Sequence, residues 1–278
     1  MIDMEKGYLK EEATLCLDLI LQIDKGYEGV WAIKQALGSF FIVIDKVAEN
    51  KYIIIIRGTE PRKIYNLFVD VAVFGKSTFP VSLNTSLNPV VSTGISLQYQ
   101  AVAKKIFEFL STLPIGTDLI LTGHSQGGAA AGLLAIGINY NFPNTFNIKT
   151  YAFAPPAIGN EDYKTLAEEA SSYGLFRVVN PLDIVPYFYG NILHIINNSV
   201  PQKIPFLFKM IYYFTYFVHK LTKHQYVNVG TTVLLLEKEL VHCDDTRAKQ
   251  ILQYECEVLK HHGAEHYKVL LEETELNN

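Results

Sequence analysis

The sequence predicts an α/β protein with a mainly parallel central sheet and helices on both faces. Three observations predict it. Apolar segments of strand length alternate with segments of helical spacing along most of the chain, the rhythm of parallel strands joined by crossover helices. One of those segments, Tyr52-Ile53-Ile54-Ile55-Ile56, is continuously apolar, as a strand buried on both faces must be. A third, Leu119-Ile120-Leu121-Thr122, runs into Gly123-His124-Ser125-Gln126-Gly127 and then into the small-residue run Ala129-Ala130-Ala131-Gly132, a strand-turn-helix with a serine at its apex.

The elements follow in order. Residues 9–23 carry the periodicity of an amphipathic helix. Residues 39–45 and 51–57 read as strands joined by a turn at 48–50. Leu97, Ala101, Ile106 and Leu110 recur at helical spacing, so 96–110 is a helix. The apex strand is 118–122, and a helix follows it. Strands at 148–153 and 175–180 flank a helix at 161–171, a later strand covers 232–237, and helical segments alternate from 246 onward. Neither a repeat nor a Pro/Gly/Ser linker interrupts the pattern, so 1–278 is expected to be one domain.

Within it, residues 187–224 form an aromatic-rich insertion. Phe206, Phe208, Tyr212, Tyr213, Phe214, Tyr216 and Phe217 crowd a stretch that Lys209 interrupts and that is too short to span a bilayer. It reads either as a cap packed on the sheet or as a surface that meets lipid at 204–218, with Lys203, Lys209, Lys220 and Lys223 towards headgroups.

Composition excludes several classes. With 49% hydrophobic and 19% charged residues the chain is globular rather than disordered. A formal charge of −4 without a Lys/Arg block gives no footprint for nucleic acid. Cys16, Cys243 and Cys256 are too few and too scattered for a disulfide framework or a zinc site, and no metal or cofactor is expected. The first residues are charged and lack an apolar signal core, so the cytoplasm is the default expectation, with export by a route that needs no N-terminal signal as the alternative.

The serine apex carries the chemistry. Glycines at 123 and 127 let strand and helix approach closely, and the turn lifts the Ser125 hydroxyl clear of the sheet. The Gln126 amide, at the helix N-terminus, aims at the space above it and can stabilise an oxyanion. Serine becomes nucleophilic only when a base takes its proton and a third group orients that base. Asp183 lies just past a strand end, where catalytic groups gather in open α/β sheets. A base is sought among His261, His262, His266 and His194, and position alone does not choose among them. Ile56-Arg57-Gly58-Thr59 ends a buried strand with a glycine turn, so the amide and hydroxyl of Thr59 are candidate oxyanion donors.

These segments together resemble the class 3 (fungal-type) lipases of the α/β-hydrolase fold. Ile56-Arg57-Gly58-Thr59 is similar to that family's oxyanion strand end, and Asn66-Leu67-Phe68-Val69-Asp70 to its downstream acidic element. Gly123-His124-Ser125-Gln126-Gly127-Gly128 resembles its elbow, with glutamine in place of the usual leucine. Tyr151 to Asn160, and Arg177-Val178-Val179-Asn180 through Asp183-Ile184-Val185-Pro186, are similar to its next two conserved segments. The resemblance implies Asp183 as the acid, Thr59 and Gln126 as oxyanion donors, and His262 as the base through the spacing of His262 and Tyr267, with His266, His261 and His194 as alternatives. It also implies a lid at 74–80. The activity it implies is a carboxylic-ester hydrolase acting on lipid esters through an acyl-serine, without a cofactor. The rival readings are a non-catalytic lipase-like binding or signalling protein, and a phospholipase A1 or acyltransferase using the same site.

Overall fold

The computed structural model describes residues 4–34, 41–58, 79–83, 85–180, 183, 185–187, 226–236, 239–243 and 261–274. Eight strands lie side by side in sequence order. They are β1 (Trp31–Lys34), β2 (Phe41–Ala48), β3 (Lys51–Ile56), β4 (Thr117–His124), β5 (Phe146–Phe153), β6 (Leu175–Val179), β7 (Thr231–Leu236) and β8 (Glu239–Cys243). Pairing is antiparallel from β1 to β3, parallel from β3 to β7, and antiparallel again at β8. The described helices are α1 (Lys10–Asp24), α2 (Thr93–Leu110), α3 (Gln126–Asn141), α4 (Glu161–Ala170) and α5 (Ala264–Glu273).

The two-residue period of a strand divides the core into two layers. Ile54 and Ile56 of β3, with Leu119 and Leu121 of β4, pack on the side of α2, α3 and α4. Ile53, Ile55 and Ile120 pack on the opposite side, with Cys16 and Leu17 of α1 and Leu270 and Leu271 of α5. All four isoleucines from Ile53 to Ile56 are buried, which explains why β3 reads as a continuous apolar run. Helix α3 is buried almost all round, from Gln126 to Ile138, so its glycines and alanines face both the sheet and its neighbours rather than forming one apolar stripe.

Helix α1 is fastened by charge as well as by apolar contact. Glu12 accepts hydrogen bonds from Lys51 at 2.6 Å, Lys149 at 2.7 Å and the Tyr151 hydroxyl at 2.9 Å. Lys149 is fully buried, and a buried ammonium is tolerated only when paired. Asp18 pairs with Lys268 at 2.5 Å, and Lys10 donates to the Thr274 carbonyl, so α1 also grips α5. The segment entering α5 carries His262.

Strands β1 and β8 escaped the sequence pattern. Both are edge strands of four or five residues, and Trp-Ala-Ile-Lys and Glu-Leu-Val-His-Cys mix polar and apolar residues too briefly to establish a period. The strand expected at 39–45 begins at Phe41 and continues to Ala48. The expected lid at 74–80 falls largely, and the insertion at 187–224 almost wholly, outside the described residues, as does most of the tail from 246 before α5. No described helix is long and apolar enough to cross a membrane.

Candidate active site

Strand β4 ends at His124 and α3 begins at Gln126, leaving one residue, Ser125, to reverse the chain. Its φ of 58° and ψ of −125° put it in a region that a residue with a Cβ enters only under strain. Two backbone hydrogen bonds hold it there: its N–H donates to the Phe153 carbonyl at 2.8 Å, and its carbonyl accepts from Ala129 at 3.1 Å. The flanking glycines are obligatory. A Cβ on Gly127 would stand 2.1 Å from the Ile56 carbonyl oxygen, and one on Gly123 would stand 2.4 Å from the Gly127 carbonyl carbon.

The Ser125 hydroxyl faces His262, with 2.9 Å between Oγ and Nε2. Nδ1 of the same ring lies 2.8 Å from Oδ2 of Asp183. The other oxygen of that carboxylate accepts the Val185 N–H at 2.9 Å, and Oδ2 also accepts the Tyr267 hydroxyl at 2.7 Å. All four side chains are buried to within 2% exposure. Asp183 therefore sits where its carboxylate is fully committed to donors, and His262 is held with one nitrogen on the acid and one on the serine. Any hydrogen on Nδ1 is directed to Asp183, which leaves Nε2 as the acceptor for the serine proton.

Chain elements far apart in sequence supply these groups. Asp183 follows β6, which Arg177 clamps in place. That side chain is buried inside the fold and donates to Thr232 Oγ1 at 3.0 Å and to the Pro186 carbonyl at 3.1 Å, so it ties β6 to β7 and to the turn after Asp183. His262 precedes α5, and the Tyr267 hydroxyl accepts the Asn180 N–H at 3.0 Å, pinning α5 to the end of β6. Sequence reasoning used Tyr267 only as a spacing mark and did not find the Arg177 clamp. The one local signal was an arginine inside the apolar run Leu175-Phe176-Arg177-Val178-Val179.

His124, the last residue of β4, lies inside the elbow next to Ser125. Its ring packs on His262 with centroids 4.7 Å apart and meets Tyr267 edge-on at 5.8 Å. Its Nε2 is buried without a hydrogen-bond partner. Burial, and then the neighbouring His262, push its pKa well below the ordinary histidine range, so it stays neutral against the His262 ring.

Gln126 stands in the first turn of α3, where the helix dipole is positive. Its side chain donates to Gln98 of α2 at 3.0 Å, so the group that replaces leucine is tied to a neighbouring helix. Thr59 lies outside the described residues. Gly58, directly before it, abuts the elbow: a Cβ there would meet the His124 carbonyl oxygen at 2.5 Å and the Ser125 Cβ at 3.5 Å. Of the alternative bases, His194 lies outside the described residues. His261 and His266 face each other at 3.2 Å instead of Ser125. Among the described residues no three His, Cys, Asp or Glu side chains gather to hold a metal.

Residues 53–192, half of the chain, match the family described as Lipase (class 3). Phospholipase A1-IIalpha of Arabidopsis thaliana is 27% identical over 112 residues, 37% of this chain and 26% of its own length. A lipase of Caenorhabditis elegans is 38% identical over 74 residues, 26% of this chain and 21% of its own length. The matched stretch thus spans about a quarter of the length of these relatives. A crystal structure of a triacylglycerol lipase from Penicillium expansum superposes with a TM-score of 0.61 at 19% identity, covering 87% of this chain and 86% of that one. At that identity it reports the fold, which is the α/β-hydrolase fold.

Proposed function

Because this chain belongs to the class 3 lipase family, we propose that it is a carboxylic-ester hydrolase acting on lipid or similarly apolar esters, with Ser125 as nucleophile, His262 as base and Asp183 as the orienting acid. The observation that carries this reading is the unbroken contact from Ser125 Oγ through the His262 ring to Asp183 Oδ2, on an elbow whose strain has no other evident use.

The chemistry follows from that geometry. Ser125 Oγ attacks the ester carbonyl while His262 Nε2 takes its proton. Asp183 stabilises the imidazolium. The amides of Gln126 and Thr59, with the Thr59 hydroxyl, receive the negative oxygen, and each such donor contributes roughly 10²–10³-fold in rate. The position of Gly58 against the elbow supports Thr59 in that role. His262 then gives its proton to the departing alcohol. Water, deprotonated by the same nitrogen, cleaves the acyl-serine and releases the acid.

The chain is taken as one domain, with 187–224 as a cap. The aromatic and lysine content of that sequence supports lipid contact at 204–218. Loop 74–80 follows the acidic element at 66–70 and is the segment proposed as lid.

The test is hydrolysis of short- and long-chain p-nitrophenyl esters, triacylglycerol and phosphatidylcholine by the wild type, Ser125→Ala and His262→Ala. Turnover that falls by ~10⁴-fold or more in both folded variants supports the triad. The preferred substrate then separates lipase, phospholipase A1 and esterase, and product analysis with an added alcohol separates acyl transfer. A folded wild type inactive on every ester, micellar ones included, would leave the binding or signalling reading.

A further inference from the structure

We propose that His261 and His266 form a two-imidazole site for a divalent transition-metal ion of the zinc type, beside the catalytic histidine but separate from it. Nδ1 of His261 and Nε2 of His266 lie 3.2 Å apart. Two imidazole nitrogens bound to one tetrahedral zinc, each at about 2.0–2.1 Å, stand about 3.3 Å apart. The ring directions agree with that picture. The ring centroids are 5.1 Å apart, only 1.9 Å (5.1 − 3.2) more than the two nitrogens. Two rings joined by a straight N–H···N bond would add a full ring radius at each end and stand farther apart. The rings therefore meet short of a straight line, in a hydrogen-bond contact whose nitrogen spacing and ring separation two imidazoles on one tetrahedral ion would also adopt.

The donor chemistry selects the ion. Imidazole suits zinc, copper and nickel, whereas magnesium and calcium take oxygen donors. Both rings are half-buried, so water can complete the coordination shell. The site does not compete with the triad. Both nitrogens of His262 already face Ser125 and Asp183 in the structure where the His261–His266 pair is formed. An ion there would link the turn that carries His262 to the first turn of α5, bracing that turn without moving the catalytic ring.

Zinc chloride added to chelator-treated full-length protein tests this by calorimetry and by thermal unfolding. The expected result is one saturable equivalent and a Tm that rises with zinc and not with magnesium. Both effects should weaken by about tenfold or more in His266→Gln and in His261→Gln. Side-chain ¹⁵N spectra of the wild type give the same answer without substitution, with two imidazoles shifting on zinc addition. Absence of saturable binding, undiminished binding in a folded variant, or no imidazole shift would overturn the site. None of these readouts uses hydrolysis, so failure here and failure of the ester-hydrolase reading are distinguishable.

Discussion

The Tyr267 hydroxyl donates to Oδ2 of Asp183 at 2.7 Å, the same oxygen that faces the His262 ring at 2.8 Å. The phenol also accepts the Asn180 N–H, so it couples the carboxylate to the end of β6. One chain segment thus supplies the ring, at residue 262, and the group that fixes the ring's partner, at residue 267. Tyr267→Phe keeps the packing and removes both hydrogen bonds. The expected outcome is a kcat lowered ~10- to 100-fold with KM little changed, and stability lowered by roughly 1–3 kcal/mol, from the value of hydrogen bonds to charged groups. Steady-state kinetics and urea unfolding check it. An unchanged kcat would mean that Tyr267 only packs.

Gly127→Ala should damage the elbow through the backbone. The added methyl would meet the Ile56 carbonyl oxygen at 2.1 Å, and neither partner is a flexible side chain that can move aside. A loss of roughly 2–4 kcal/mol is expected, with activity falling further than the folded fraction does. Activity per folded molecule, measured beside the unfolding curve, separates the two effects.

Lys149→Met removes one charge from the cluster that joins α1 to β3 and β5. Glu12 keeps Lys51 and Tyr151, so the cost should sit near the low end of that for a broken buried pair, about 3 kcal/mol. The double variant Glu12→Met with Lys149→Met should cost less than the sum of the single variants, because Glu12→Met alone leaves the fully buried Lys149 ammonium without its carboxylate. Additive losses would mean that the pair is not coupled.

Glu12 also sets an acid limit on stability. Burial pushes its pKa up, but hydrogen bonds and charges from Lys149 and Lys51 outweigh burial and leave it below the ordinary glutamate value. A carboxylate with a depressed folded pKa contributes stability that is complete above its unfolded pKa and is lost as pH falls through the folded one. Wild type and Glu12→Gln should therefore differ most near neutral pH and converge below about pH 4.5. Unfolding free energies taken from pH 7 to pH 3 check this, and a constant gap would contradict it.

Much of this was written locally in the chain, and the rest was not. The elbow was legible because only glycine fits at 123 and 127. β3 was legible because a strand buried on both faces must be apolar throughout. Asp183 was legible as a carboxylate just beyond a strand end. Which histidine faces Ser125 was not, since three histidines crowd six residues and nothing in their immediate sequence distinguishes them. What brings the ring at residue 262 to Ser125 is long-range: α5 lies on α1, Lys268 pairs with Asp18, and Tyr267 reaches Asn180. Only the resemblance to a family carried that information. The Arg177 clamp and the His124 ring on His262 were hidden for the same reason, because each depends on contacts between strands and helices distant in sequence.

The central claim is that Ser125 is a nucleophile activated by His262. The most direct measurement is mass spectrometry of the intact chain after brief exposure to a fluorophosphonate, followed by peptide mapping. The account predicts a single adduct on Ser125 in the wild type and labelling slowed by orders of magnitude in folded His262→Ala. A folded wild type that takes no label, or takes it on another serine, would contradict the account.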